Sequence, residues 1–337
     1  LKPTVMEPTL QKYRIPLFIA SALFVVWAVL ALMDFKNYTY LGHELDGLKV
    51  SQVDEGSPME AAGLQVGDRL ISWDGIAVEN TKALNQQKRS VPGQTAVVVV
   101  ERNGEQLELT PVYAPLPGKF LKGNYAVLAM VMVFLLFGVL ALISIGTRAA
   151  FFFGLFAILL GGFLSRGPYF ASEILRNIFN VLEIWLLLLS FVFLIKFLMN
   201  YPSSRNWASS RTGKWVIWGP AVVLGVFVSY LFLFMPDSTE GLRSMVNLLL
   251  PAILLFYFVW AIVLMIQNYL KASAEDRKKK GLGLMLMGVV LGFLPIVIGI
   301  AVNVIDATVV LPGDDFYILF FTLIPLSFFL ALRRGTT

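Results

Sequence analysis

Cysteine is absent from the 337-residue sequence, and histidine occurs once, at His43. Without cysteine the chain forms no disulfide and offers no thiolate for catalysis, for zinc or for an iron–sulfur cluster. A single histidine excludes the HExxH zinc motif, a serine–histidine intramembrane protease site and haem held by two histidines. We therefore predict no metal site and no cofactor, and we expect the chain not to be an enzyme.

Charged residues are also scarce, at 15% of the sequence against 57% hydrophobic residues, and the mean hydropathy is +0.74. The net charge is +5, but residues 38–115 carry 6 Lys and Arg against 11 Asp and Glu. The positive excess therefore lies in the apolar remainder of the chain, which favours a membrane over a nucleic acid as its environment. This composition indicates an integral membrane protein, and no nucleic-acid partner is expected.

Eight apolar runs are long enough, or nearly so, to cross a bilayer of roughly 30 Å. They lie at about 16–33, 125–145, 149–164, 178–199, 215–235, 248–268, 283–303 and 316–332. Outside residues 38–115, this assignment leaves fourteen Lys and Arg in connections on one side and six on the other. The positive-inside rule then predicts cytoplasmic termini and an extracytoplasmic segment 38–115. Deleting the short third run would invert every later loop and place the basic stretch EDRKKKG outside.

The expected fold is an α-helical integral membrane protein of about eight transmembrane helices with an inserted extracytoplasmic α+β domain. Residues 1–37 form the cytoplasmic N-terminus and the first span, and residues 38–115 form the inserted domain. Residues 116–337 form a seven-helix membrane bundle with a cytoplasmic C-terminus. The expected location is the bacterial cytoplasmic (inner) membrane, with membrane lipids as partners.

Segment 38–115 changes to short β-rich runs separated by turn residues. The runs LKVSQV and RLISWDG predict strands, SPMEAAG predicts a short helix, and AVVVVERNGEQLELTPV predicts a hairpin turning at Asn103-Gly104. The stretch NTKALNQQK, residues 80–88, predicts a second helix. Together these runs predict about five strands and two helices.

The stretch GSPMEAAGLQVGDRLISWDG, Gly56 to Gly75, resembles the signature of bacterial PDZ domains. The preceding YLGHELDGLKV occupies the place of that family's carboxylate-binding loop and peptide-pairing strand. The resemblance implies a groove that binds the C-terminus of a peptide or protein, with a backbone loop, a strand edge and a helix as its parts. Carried over by position, the groove residues are Tyr40, Leu41, Gly42, His43, Glu44, Leu84 and Lys88.

One groove position departs from the family, because His43 stands where an aliphatic or aromatic residue is usual. Two interpretations stay open there: a more polar pocket, or a group whose titration makes binding depend on pH. A second alternative concerns the whole domain, which would then have a degenerate groove and dock only against its own membrane bundle.

Ionisable residues inside the apolar runs are few. Glu183 is the candidate intramembrane functional carboxylate, since a charge in lipid is costly without a partner or water. The alternative is a carboxylate that serves helix packing or lies at the interface. The basic stretch AEDRKKKG is interpreted as an inside-loop marker, with attraction of anionic lipid headgroups as the alternative.

Three stretches, KFLMNYPSSR, EDRKKKGLGLMLMGVVLGFLP and LIPLSFFLALRR, are similar to the multi-span input modules of competence-pheromone-type sensor histidine kinases. The kinase domain of that family is missing from the sequence, which has no phosphoacceptor histidine, asparagine box or glycine-rich ATP lid. The resemblance implies a non-catalytic membrane sensor that relays peptide binding to a cytoplasmic or membrane partner. The alternative function is an accessory or scaffolding subunit of a larger membrane complex, docked through the PDZ domain.

Overall fold

The computed structural model describes residues 12–35, 37–78, 90–165, 167–168, 170, 172–235, 240–305, 311 and 313–335. The chain divides into two compact units. One unit comprises Leu1–Ala31 and Gly123–Thr337, and the other comprises Leu32–Lys122. The second unit corresponds to the segment that the sequence separates from the apolar runs.

The Leu32–Lys122 unit is built on a β-sheet. Its strands are β1 (Thr39–Tyr40), β2 (His43–Asp46), β3 (Lys49–Val53), β4 (Arg69–Trp73), β5 (Ile76–Ala77), β6 (Val98–Arg102), β7 (Glu105–Leu109) and β8 (Ala114–Pro115). The main sheet runs in the order β2-β3-β4-β6-β7, with β5 paired to β4, and β1 pairs separately with β8. Strand β2 therefore forms one edge of the main sheet.

The strands predicted around LKVSQV and RLISWDG and the hairpin at Asn103-Gly104 are present. The hairpin turn places Asn103 at φ +53° and Gly104 at φ +85°, a geometry that two-residue hairpin loops require. Alternate residues of β6 point inward, so Val98 and Val100 are fully buried in the core. The predicted helix at 80–88 lies outside the described residues.

The GSPMEAAG stretch forms the short helix α2 (Pro58–Ala61), after α1 (Arg14–Phe35). Ser57 is the N-cap residue, and its side chain accepts a hydrogen bond from the Glu60 N–H at 3.2 Å. The following Asp68 is 2% exposed and forms a bidentate ion pair with Arg102 at 2.7 Å on both oxygens. Burial raises the pKa of Asp68, but hydrogen bonds and the charge of Arg102 outweigh it and hold that pKa below its usual value.

The other unit is helical. Beyond α1, its helices are α3 (Gly118–Ser144), α4 (Arg148–Leu164), α5 (Glu173–Asn200), α6 (Arg211–Phe234), α7 (Glu240–Lys271), α8 (Ala274–Lys279), α9 (Leu282–Ile305) and α10 (Leu323–Arg334), with 3₁₀ helices at Asn206–Ser209 and Asp314–Thr322. Helix α3 begins in the Leu32–Lys122 unit and continues into this one. Within the described ranges, seven helical segments are long and apolar enough to cross a membrane. The third predicted run forms α4, which has 17 residues and is shorter than those seven, so an eighth span stays a prediction.

Close helix crossings in this unit depend on small residues. A Cβ added to Gly288 on α9 would lie 2.0 Å from the Ser327 Oγ of α10. Added to Gly154 on α4, it would lie 2.8 Å from the Leu142 side chain of α3. Glycine therefore lets these backbones approach each other, as small residues do in membrane helix bundles.

Candidate functional site

The loop between β1 and β2 is held against the start of α2. The Leu41 C=O accepts a hydrogen bond from the Met59 N–H at 3.0 Å, and the Gly42 C=O accepts one from the Asp54 N–H at 2.9 Å. Gly42 has φ +74°, and a Cβ built there would lie 2.2 Å from the Cβ of Ser57. Only glycine fits this close approach without moving Ser57.

The two carbonyls of this loop accept hydrogen bonds from other backbone groups of the domain, and its N–H groups differ from them. Among the described residues, neither the Leu41 N–H nor the Gly42 N–H donates a hydrogen bond to another group. Successive backbone N–H groups in such a loop can bind an anion, including a terminal carboxylate.

Strand β2 begins directly after the loop and has one unpaired side in the described sheet. His43 pairs in register with Val53, and the neighbouring Gly42 and Asp54 are already hydrogen-bonded. Backbone groups alternate in direction along an antiparallel pair, so those of His43 point away from β3 toward the open edge. The next residue, Glu44, is exposed on the same strand. This edge can hydrogen-bond an added extended strand.

Tyr40 and Asp54 stabilise the loop through a hydrogen bond between their side chains. The Tyr40 hydroxyl donates to Asp54 Oδ2, and the Gln52 side-chain amide donates to Asp54 Oδ1 at 2.9 Å. Burial, with the hydrogen bond and the charge of Asp54, raises the pKa of Tyr40 to about 12. Tyr40 thus stays a protonated donor at physiological pH.

The His43 ring stacks on Trp73 at a centroid distance of 5.9 Å. Its Nδ1 is buried and has no hydrogen-bond partner among the residues that the structure describes. Burial lowers the pKa of His43 below its usual value, although the charge of Asp54 acts in the opposite direction. His43 is therefore neutral at pH 7.

The structure brings five of the sequence-assigned groove residues together at the loop and the start of β2: Tyr40, Leu41, Gly42, His43 and Glu44. Leu41 points into the core and is 8% exposed. Leu84 and Lys88 lie outside the described residues. Glu183 lies in α5 of the helical unit, half-buried and engaged with a partner.

Sequence reasoning missed Asp54, Ser57 and Trp73, which fix the loop and the His43 ring. The stretch GSP offered a signal for Ser57 alone, because serine before proline is typical of the N-cap of a helix. No local signal pairs His43 with Trp73, which is 30 residues further along the chain.

Residues 32–110 match the family model described as a PDZ domain. The zinc metalloprotease RasP of Shouchella clausii is 41% identical over 54 residues, covering 16% of this chain and 13% of that protein. A probable periplasmic DegP-like serine endoprotease of Hahella chejuensis is 36% identical over 72 residues, covering 21% and 15%. A solved structure of the HtrA-type protease AlgW with decapeptide is 28% identical and covers 24% of this chain and 30% of that one, with a TM-score of 0.22.

The chain thus spans less than a sixth of the length of these two curated relatives, and the matches cover only the PDZ domain. The apolar helices, together with the relative named RasP, indicate a membrane-integral protein. These comparisons do not show the resemblance to sensor histidine kinases.

Two expectations from the sequence are wrong. The relatives named as proteases contradict a non-catalytic sensor, and they equally contradict the expectation that the protein is not an enzyme. They do not favour the accessory or scaffolding alternative either. The error came from inferring function from missing catalytic side chains, whereas the informative feature was the kind of protein in which this recognition domain occurs.

Zinc, implied by the name of one relative, does not fit the donors of this chain. His43 is the single histidine and cysteine is absent. Across the described ranges, no three His, Cys, Asp or Glu side chains come together as a possible metal site.

PDZ domains bind peptide C-termini. The family match coincides with the sheet, the glycine loop and the open strand edge described above. Residues 32–110 of this chain therefore form a PDZ domain.

Proposed function

We propose that this chain is part of a membrane-associated proteolytic enzyme in which the PDZ domain binds the C-terminal segment of a protein substrate. The observation that carries the proposal is the unpaired edge of β2. This edge starts at the loop whose Leu41 and Gly42 N–H groups donate no hydrogen bond among the described residues. The relatives named RasP and DegP-like endoprotease supply the proteolytic context.

In this proposal the substrate carboxylate binds at the Leu41 and Gly42 N–H groups. The extended substrate backbone adds as a strand along β2, where His43 supplies the first outward N–H and C=O. Glu44 contacts the substrate beside this strand, and Leu84 and Lys88 line the opposite side of the groove. Such strand addition supplies affinity through the main chain, and side-chain pockets supply selectivity.

No residue of this chain is assigned to peptide-bond cleavage. Its one histidine lies in the PDZ domain, and its candidate intramembrane carboxylate, Glu183, is single. Recognition by the PDZ domain is the step that the described residues support. The proposed orientation places the PDZ domain outside a bacterial inner membrane and both termini in the cytoplasm, following the unequal distribution of Lys and Arg.

The test compares two substitutions at one position. His43→Pro removes the outward N–H, and proline is tolerated at the first residue of an edge strand. His43→Val removes the imidazole but keeps the N–H. Protein half-lives are measured by isotopic pulse–chase proteomics in cells with the unchanged chain, with either variant, or without the chain.

We expect a set of proteins whose half-lives lengthen without the chain, and we expect His43→Pro to lengthen the same half-lives while His43→Val does not. Unchanged half-lives of all proteins in cells lacking the chain would contradict a role in proteolysis. Equal effects of the two variants would contradict recognition through the strand edge.

A further inference from the structure

A pocket of about 420 Å³ lies along the first three turns of α6, within the helical unit. Its lining residues are Arg211, Lys214, Trp215, Trp218, Gly219 and Val222. Their spacing of three and four residues puts them on one face of the helix. The cations lie at the start of this face and the apolar residues lie further along it, so the pocket is amphipathic.

The stretch of sequence that contains the pocket carries cations without carboxylates. From Ile184 to Pro236 the sequence contains four cations and no Asp or Glu. Among the described residues, the side chains of Arg211 and Lys214 form no ion pair and no hydrogen bond. The Arg205 guanidinium donates hydrogen bonds to two neutral groups, the side-chain oxygens of Gln267 and Asn268. Unpaired cations beside apolar helices favour an anionic ligand.

A further cation lies behind the pocket in a box of aromatic rings. Lys196 Nζ is 4.5 Å from the ring centroid of Phe152, 5.2 Å from that of Trp218 and 5.7 Å from that of Phe193. Rings at these distances stabilise an ammonium ion through cation–π attraction. Trp218 belongs to both the box and the pocket, so this contact fixes one wall of the pocket.

We propose that this pocket binds the phosphate headgroup of an anionic phospholipid. Arginine and lysine bind phosphate through charge-assisted hydrogen bonds, and tryptophan is favoured at the headgroup level of a bilayer. The apolar half at Gly219 and Val222 suits the beginning of an acyl chain, which a small soluble anion does not possess. The sequence also assigns this end of α6 to the cation-rich side, where basic pockets between helices bind anionic headgroups.

The test uses the full chain purified in mild detergent, with native mass spectrometry to measure binding of phosphatidylglycerol, phosphatidylcholine and inorganic phosphate. The double variant Arg211→Gln with Lys214→Gln removes the two pocket cations. Its matched control, Lys278→Gln with Lys279→Gln, removes two cations from the exposed helix α8. We expect the pocket variant to weaken phosphatidylglycerol binding about tenfold, and the control to weaken it less than about twofold.

Val222→Trp is a second variant that fills the apolar half and leaves every charge in place. It is expected to weaken phosphatidylglycerol binding and to leave inorganic phosphate binding unchanged. Equal losses in the two double variants would overturn the proposal in favour of general electrostatic attraction. Displacement of phosphatidylglycerol by an equal concentration of inorganic phosphate, or equal binding of phosphatidylcholine, would also overturn it.

Discussion

At the scale of single residues, the geometry of the PDZ loop depends on Gly42 and its contact with Ser57. The left-handed φ of +74° and the 2.2 Å approach exclude any Cβ at this position. A substitution such as Gly42→Asp would therefore disturb the loop itself and would not test carboxylate binding alone. Changes at the His43 N–H or at the ligand carboxylate separate binding from folding.

The pKa of the His43 imidazole lies below its usual value of about 6.5. Burial is the main cause, because it disfavours the charged ring, and the nearby Asp54 only partly offsets this. Since the folded-state pKa is lowered, the contribution of His43 to stability is complete above the unfolded-state pKa. It is lost as the pH falls through the folded-state pKa.

The single histidine gives one imidazole resonance in a proton NMR titration of the full chain. We expect a midpoint below pH 6.5, and peptide affinity that does not change between about pH 7 and 8. A midpoint at or above the usual value would contradict the buried, neutral ring. It would also restore a pH-dependent groove as an interpretation of this position.

At the scale of elements, the sequence predicted the strands that combine alternating burial with strong turn residues. The β6–β7 hairpin is an example, since Asn103-Gly104 specifies its turn locally. The stacking of His43 on Trp73 could not be predicted, because the sheet brings the two together over 30 residues of chain. The helix carrying Leu84 and Lys88 stays a prediction.

The length of apolar runs predicted the long helices, but it did not decide the role of α4. This helix is short for a span and is among the most buried in its unit, with Phe153 and Ala157 fully buried. A run of apolar residues has the same appearance whether it faces lipid or other helices. Hydropathy alone therefore could not fix the count of eight.

Two glycines on α9 give a matched pair for testing helix packing. Gly288→Ala would force a Cβ against Ser327, whereas Gly283→Ala meets its nearest atom, on Tyr269, at 3.8 Å. We expect Gly288→Ala to destabilise the helical unit by about 1–3 kcal/mol. Gly283→Ala is expected to be neutral or stabilising by up to about 1 kcal/mol, since alanine favours helix.

Thermal unfolding followed by circular dichroism in detergent measures both variants. Equal melting temperatures for the two variants would contradict the close α9–α10 crossing.

At the scale of the whole molecule, charge distribution predicts which side of the membrane each loop occupies. The absence of native cysteine allows single-cysteine labelling without a background. We expect Glu105→Cys, in the PDZ domain, to react with an impermeant maleimide in intact cells, and Lys278→Cys to react only after permeabilisation. For the cysteine label we choose Glu105 rather than the neighbouring turn residue Asn103, because the positive φ of Asn103 disfavours cysteine. Reaction of both positions in intact cells would contradict the orientation.

The function of the whole molecule was the part least accessible to the sequence. Missing histidines and cysteines restrict the chemistry of these residues, but they do not report the assembly in which a recognition domain works. A PDZ groove depends mainly on backbone N–H and C=O groups, which residues of many types can supply, with Gly42 as the exception in this loop. The motif around Gly56–Gly75 identified the domain, while the proteolytic function stays a proposal that draws on the names of some relatives.

We propose that the PDZ domain of this chain binds a free carboxyl terminus at the loop and strand edge. Fluorescence anisotropy of the purified full chain with a peptide ending in an apolar residue tests it, using the acid and the C-terminal amide of the same peptide. We expect about tenfold weaker binding of the amide, and a similar loss for the acid with His43→Pro but not with His43→Val. Equal affinity for the acid and the amide would contradict it.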